Sequence, residues 1–265
     1  MISPLAAARD YDAPSVFMPE NLLREARRQK SLQAGDVPSI CVLDPDGDLV
    51  RHLHLTGASR RSEVWACYHT DLHSFVLDGV EIGVVGCAVG ASFAVLVAEQ
   101  LFASGCRLLA SITSSGQIAD AGPTPYFILI DKALRDEGTS HHYIPPSDFA
   151  HCAPALLDRL RPMLDLASQH IILGATWTTD APYRETEAAI EAARAHGVLA
   201  VEMEAAALYA FAAARGRAVV CFAHVTNAMA RSEGDFEKGD AGGAHDALAL
   251  LSALTSLWRD VPRGA

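Results

Sequence analysis

Basic residues are scarce in this chain. Its 265 residues carry 21 lysines and arginines against 32 aspartates and glutamates, a formal net charge of −11. No cationic face is available to neutralise a phosphate backbone, which excludes a nucleic-acid binder that works by charge. A small anion is not excluded, because a few local donors suffice to hold it. Long apolar runs are also missing. None reaches the ~18 residues needed to span a bilayer, so no membrane partner is expected, and the N-terminus shows no basic-then-apolar signal peptide. The six cysteines, at 41, 67, 87, 106, 152 and 221, form no CxxC pair and no zinc spacing. They read as free thiols in a reducing compartment, so a cytoplasmic protein without a metal is expected. Half of the residues are apolar and a fifth charged, which fits one soluble globular unit.

Residues 1–36 read as a polar leader in which Pro19 to Gln29 has helical periodicity. From 37 to 262, short apolar segments alternate with helical ones. The strand-like segments are 39–43, 63–68, 74–77, 81–85, 107–113, 126–130, 171–176, 197–201 and 217–225. Helices are expected over 92–103, capped by Ser92 and ended by Gly105, and over 156–167, 185–196, 205–214 and 242–258. Strands this apolar are buried on both faces. The expected fold class is a single α/β domain with a central mixed β-sheet flanked by helices.

Five segments carry candidate chemistry. In Val201-Glu202-Met203-Glu204-Ala205, two carboxylates flank a methionine where an apolar strand meets a helix. Burying both is costly unless each has a polar partner. Glu204 can accept both hydroxyls of a cis-diol while Met203 lies on a sugar ring; the plain alternative is an acidic helix N-terminus. In Asp44-Pro-Asp-Gly-Asp-Leu-Val-Arg51, Gly47 lets backbone approach an anion and Arg51 can fork onto it, unless this is a surface turn. Ser111-Ile-Thr-Ser-Ser-Gly-Gln117 presents four hydroxyls after an apolar strand, as donors to a ligand or as a capped turn. Asn227, at the end of another strand, offers a donor and an acceptor that suit a 6-oxopurine edge, or it is a turn residue. His141 and His142 invite a metal reading, but neighbours on a strand point to opposite faces.

The run VEMEAAALYA resembles the ribose-binding segment of the class-one nucleoside phosphorylases, the purine nucleoside and uridine phosphorylases. The segments at 45–51, 86–92, 111–117, 135–143, 176–186 and 225–227 are similar to that family's motifs in the same order. The resemblance implies a three-layer sandwich, phosphorolysis of a nucleoside, purine by preference, and a homo-oligomer, dimer or hexamer. It implies no cofactor and no metal, with phosphate as co-substrate. It assigns Gly47, Arg51 and Ser114 to phosphate, and Met203 and Glu204 to ribose. Ser115, Gly116, Glu202 and Asn227 fall to the base, with Asn227 and Glu204 as the catalytic pair.

The chain departs from the family where phosphate binds. Ser111 stands at a phosphate-ligating arginine, Thr113 at a glycine and Ser114 at a threonine. The stretch Trp65 to Thr70 lacks the arginine lent by a neighbouring subunit, the nearest being Arg60 and Arg61. Two alternatives follow: a nucleoside hydrolase in which Asp44 or Asp48 orients water, and a nucleoside-binding protein without chemistry.

Overall fold

The computed structural model describes residues 9–229 and 233–258. Its elements run α1 (Pro19–Lys30), β1 (Ile40–Asp44), α2 (Asp48–Leu55), β2 (Ser59–Arg61), β3 (His73–Leu77), β4 (Val80–Gly86) and α3 (Ala91–Ala103). Then come β5 (Leu108–Gln117), β6 (Tyr126–Asp136), β7 (Phe149–His151), α4 (Pro154–Leu160), α5 (Met163–Leu166) and β8 (Ile171–Thr179). The order ends with α6 (Glu187–Ala195), β9 (Val198–Glu202), α7 (Ala205–Arg215), β10 (Ala218–Asn227) and α8 (Ala244–Trp258).

All ten strands belong to one mixed sheet, flanked by helices as expected. One half of it is open: β5 pairs in parallel with β1, β1 with β4, and the hairpin partners β3 and β2 form the edge. The other half closes. β5 pairs with β10, β10 with β6, β6 with β8, β8 with β9, and β9 returns to β5 through Gly116 and Gln117. Periodicity shows that these strands are buried, but a ring depends on contacts far apart in sequence. Helices α1, α3 and α7 pack together, with α7 against β6, β7 and β10, whereas α8 packs with α2, α4 and α5.

Three local expectations are corrected. Residues 63–68 are not a strand: Trp65, Ala66 and Cys67 are buried, and Ala66 packs beneath Leu23 and Ala26 of α1. A short apolar run cannot by itself tell a strand from a buried loop. The helix expected over 156–167 is two helices, because Pro162 lacks the N–H that would continue the first. Ser92 does not cap α3, which starts from Gly90, and the Gly90 amide donates to the Glu204 carboxylate at 2.7 Å.

The closed half is fastened from inside by a tyrosine. The hydroxyl of Tyr209 on α7 donates to the Ile130 carbonyl at 2.6 Å and accepts the Cys221 N–H at 3.0 Å, bridging β6 and β10. Tyr209→Phe would leave both backbone groups buried and unpaired, at a cost of about 1–3 kcal/mol. We expect its melting temperature to fall by roughly 2–4 °C per kcal/mol lost, measured by calorimetry; an unchanged value would mean that the bridge contributes nothing.

Candidate functional site

The carboxyl ends of β1, β5, β9 and β10 meet at one cleft, where strand ends and helix starts expose polar backbone. Thr113 and Ser114 of β5 line a pocket with Asp44, Asp46, His224 and Lys238, and β5 continues through Gly116 to its pairings with β9 and Asn227.

At one end, β1 turns into α2. Gly47 has φ +74, and a Cβ there would come within 2.7 Å of Cys87 Sγ, so the turn needs glycine. Asp44 is buried and accepts the Val50 N–H at 2.9 Å. Burial raises its carboxyl to about 6, with Asp46 and Asp48 adding to the rise. Asp46 accepts the Ser114 N–H at 2.8 Å. Arg51 donates to Asp48 at 2.5 Å, its side chain largely exposed. Lys238 reaches in from the chain after β10, 2.5 Å from Asp48 and 3.6 Å from Asp46. His224 completes this wall, stacked on Phe127 with ring centroids 4.4 Å apart. Burial pushes its imidazole down to about 4, so it is neutral near pH 7.

The middle belongs to the two glutamates. Glu202 is buried with both oxygens engaged: it accepts the Glu204 and Ala205 N–H groups at 2.7 Å each, Thr176 Oγ1 at 3.2 Å, and Thr178 Oγ1. Glu204, 1% exposed, turns the other way. One of its oxygens takes the Gly90 amide; the other has no partner among the described residues. Burial, helped by the neighbouring Glu202 and opposed by the Gly90 amide and the Thr113 hydroxyl, raises Glu204 to about 8. Burial also raises Glu202, but four donors oppose the rise. Of the pair, Glu204 therefore holds the proton near pH 7. Met203 is half-buried between them.

At the far end, Asn227 lies beside Gly116, its Oδ1 3.4 Å from where a Cβ of Gly116 would stand. Its Oδ1 accepts the Met229 N–H at 2.9 Å; its Nδ2 donates to Thr226 Oγ1 at 3.1 Å and reaches the Ser115 carbonyl only at 3.5 Å.

The structure thus brings Ser114, Ser115, Gly116, Met203, Glu204 and Asn227 to the carboxyl ends of β5, β9 and β10, with Gly47 in the turn after β1. Arg51 is paired with Asp48, and both oxygens of Glu202 are taken up by β8 and the start of α7. Asp46, Thr113 and Gly90 lie in segments the sequence had marked but were given no role of their own, and Lys238 and His224 had no signal, since their partners lie far along the chain. Ser111 is buried on β5 with its hydroxyl unpartnered. His141 and His142 lie on a 3-10 turn, and among the described residues no three His, Cys, Asp or Glu side chains form a metal cluster. No described helix is long and apolar enough to cross a membrane.

A profile of the phosphorylase superfamily matches residues 40–256. The chain belongs to that superfamily. It is similar to the DeoD-type purine nucleoside phosphorylases of Bacillus cytotoxicus, 31% identical over 142 residues, and Bacillus cereus, 30% identical over the same length. Each match takes in 52% of this chain and 60% of the relative, so it spans less than two thirds of those proteins. In three dimensions the chain resembles uridine phosphorylase from Vibrio fischeri ES114, with a TM-score of 0.72 at 21% identity, covering 88% of this chain and 99% of the other. Purine nucleoside phosphorylase from Toxoplasma gondii in complex with immucillin-H gives 0.71 at 16% identity, covering 85% and 94%. Identities this low establish the superfamily fold.

The proton on Glu204 has a measurable consequence. Its carboxyl lies above the unfolded value, so its contribution to stability is complete below about pH 4.5 and is lost as pH rises through about 8. Glu204→Gln removes that loss. We expect the variant's melting temperature to gain on wild type by several degrees, on the order of 2–4 °C per kcal/mol, between pH 5 and pH 8. A constant gap across that range would place the proton elsewhere.

Proposed function

We propose that the chain breaks the N-glycosidic bond of a nucleoside, purine by preference, and passes the pentose to phosphate. The observation that carries this reading is the unpartnered oxygen of Glu204. A buried carboxyl oxygen without a partner is costly, and a ribose diol supplies what it lacks. Protonated, Glu204 can donate to one hydroxyl and accept from the other. Met203 is placed to pack on the sugar, with Ser115, Gly116 and Asn227 along the base. Glu202 acts through the segment it anchors and sets where Glu204 points.

In this reading the bond to the base breaks as positive charge grows on the pentose and negative charge on the base. Asn227 stabilises the base through its Nδ2, whose bond to Ser115 is long enough to yield. Its amide matches N7 and O6 of a 6-oxopurine. Gly47, Ser114 and Arg51 surround the phosphate end. The same reading includes a homo-oligomer, dimer or hexamer, in the cytoplasm, with no further cofactor.

A second reading, hydrolysis, is favoured by one contact: Asp46 already occupies the Ser114 amide that phosphate would use. Asp44 or Asp48 would then orient water.

The deciding assay measures base release from inosine, guanosine, adenosine and uridine with phosphate removed and then titrated back. Phosphate-dependent release yielding a pentose 1-phosphate supports the first reading; full release without phosphate, yielding free pentose, selects the second. Tight binding with no turnover would leave a binding protein. With Glu204 protonated, Glu204→Gln exchanges one neutral donor for another of different geometry and should reduce turnover of ribosides by about 0.5–1.5 kcal/mol, roughly two- to tenfold, and of 2′-deoxyribosides by less. Asn227→Asp should shift preference toward adenosine, because a carboxylic acid can protonate N7; activity confined to uridine and indifferent to this change would point to pyrimidines.

A further inference from the structure

The phosphate end of the cleft already holds an anion, and it is the protein's own. The Asp46 carboxylate lies between the Ser114 amide at 2.8 Å and the Lys238 ammonium at 3.6 Å. A backbone N–H and an ammonium are the donors that an inorganic anion would seek there. Asp46 is also the most readily displaced of the three aspartates. Asp44 is buried and bonded to the Val50 amide, and Asp48 is held by both Arg51 and Lys238. Asp46 sits in the turn just before Gly47, its side chain 30% exposed. A second observation marks the same wall as a ligand site. His224, 6% exposed, borders the cleft, and its Nε2 has no hydrogen-bond partner among the described residues.

We propose that Asp46 is an internal anion that phosphate must displace, and that Lys238 is the cation that receives phosphate once Asp46 has left. This rests on the phosphate reading of the cleft, but it gives Asp46, Lys238 and His224 parts that the family resemblance did not assign. The charges explain why displacement is needed. Asp44, Asp46 and Asp48 outnumber Lys238 and Arg51, so a divalent anion added without displacement meets no net attraction. With Asp46 swung into solvent, the Ser114 amide and Lys238 are freed together, and His224 offers a further hydrogen bond from a neutral ring. Lys238 would then supply the positive charge missing at Ser111.

The test is calorimetric titration of the full chain with inorganic phosphate at fixed ionic strength, with no nucleoside present. Wild type is compared with Asp46→Asn, Asp46→Ala and Lys238→Met, each checked for an unchanged melting transition. Removing the charge of Asp46 should tighten phosphate about tenfold or more, and Lys238→Met should weaken it by a similar factor. If wild type binds too weakly to measure, binding by Asp46→Asn that is lost again on adding Lys238→Met also supports the proposal. Phosphate affinity no tighter in either Asp46 variant, unaffected by Lys238→Met, or absent throughout would overturn it. Base release is measured in parallel and separates the two questions. Phosphate-independent release by wild type, with tighter phosphate binding in Asp46→Asn, would sink phosphorolysis and leave the internal anion standing.

Discussion

The cleft depends on one buried carboxylate. Glu202 ends β9 and accepts hydrogen bonds from the first amides of the turn into α7 and from two threonines of β8. Thr178 in turn accepts the Ala206 N–H at 2.9 Å, so three consecutive amides at the helix start are satisfied from the sheet. A buried ionised carboxylate costs several kcal/mol in lost hydration. Hydrogen bonds to a charged group return about 1.5–3 kcal/mol each, so four partners together can cover that cost. An anchor held by four donors suits a device that holds a neighbouring residue still.

That neighbour is Glu204. With its backbone N–H fixed by Glu202, its side chain reaches the Gly90 amide at the start of α3. One strand end thus sets two helix starts, and the Glu204 carboxyl belongs to a segment with little freedom to move. Two acids two residues apart cannot both ionise cheaply in the interior. The donors decide between them: the charge goes to Glu202, which has four, and the proton to Glu204, which has the Gly90 amide. The raised values of both groups and the spare oxygen of Glu204 have this single origin.

Much of this was legible in the sequence for a physical reason. Two glutamates around a methionine between an apolar strand and an alanine-rich helix break the pattern of a buried segment, and such breaks mark sites. The turn at Gly47 and the hydroxyl run at 111–115 stood out in the same way, and the structure places both at the cleft. What local pattern cannot show is direction and distance. Glu202 and Glu204 look alike in one dimension, yet one has both oxygens engaged and the other keeps one oxygen without a partner among the described residues. The closure of β9 onto β5, the burial of Ala66 beneath α1 and the reach of Lys238 to Asp48 each join residues with no shared periodicity. Pro162 was visible, but the apolar period on both sides of it suggested a continuous helix.

Ser111 and Asp46 are best understood together. Position 111 is enclosed on β5 between β1 and β10, where an arginine would need an anion within reach. Two unit charges 4 Å apart attract by about 4 kcal/mol at an effective dielectric of 20, which no serine hydroxyl can match. With serine there, the wall lacks that charge, and Asp46 can neutralise Lys238 while filling the Ser114 amide. An arginine at 111 would bring a third cation to the wall and favour an incoming anion; the chain as it stands sets Lys238 and Arg51 against Asp44, Asp46 and Asp48. The charge lost at one strand position and the carboxylate seated one loop away thus act in the same direction. Both make the empty cleft self-sufficient, and both make its acceptor the feature most sensitive to a single substitution.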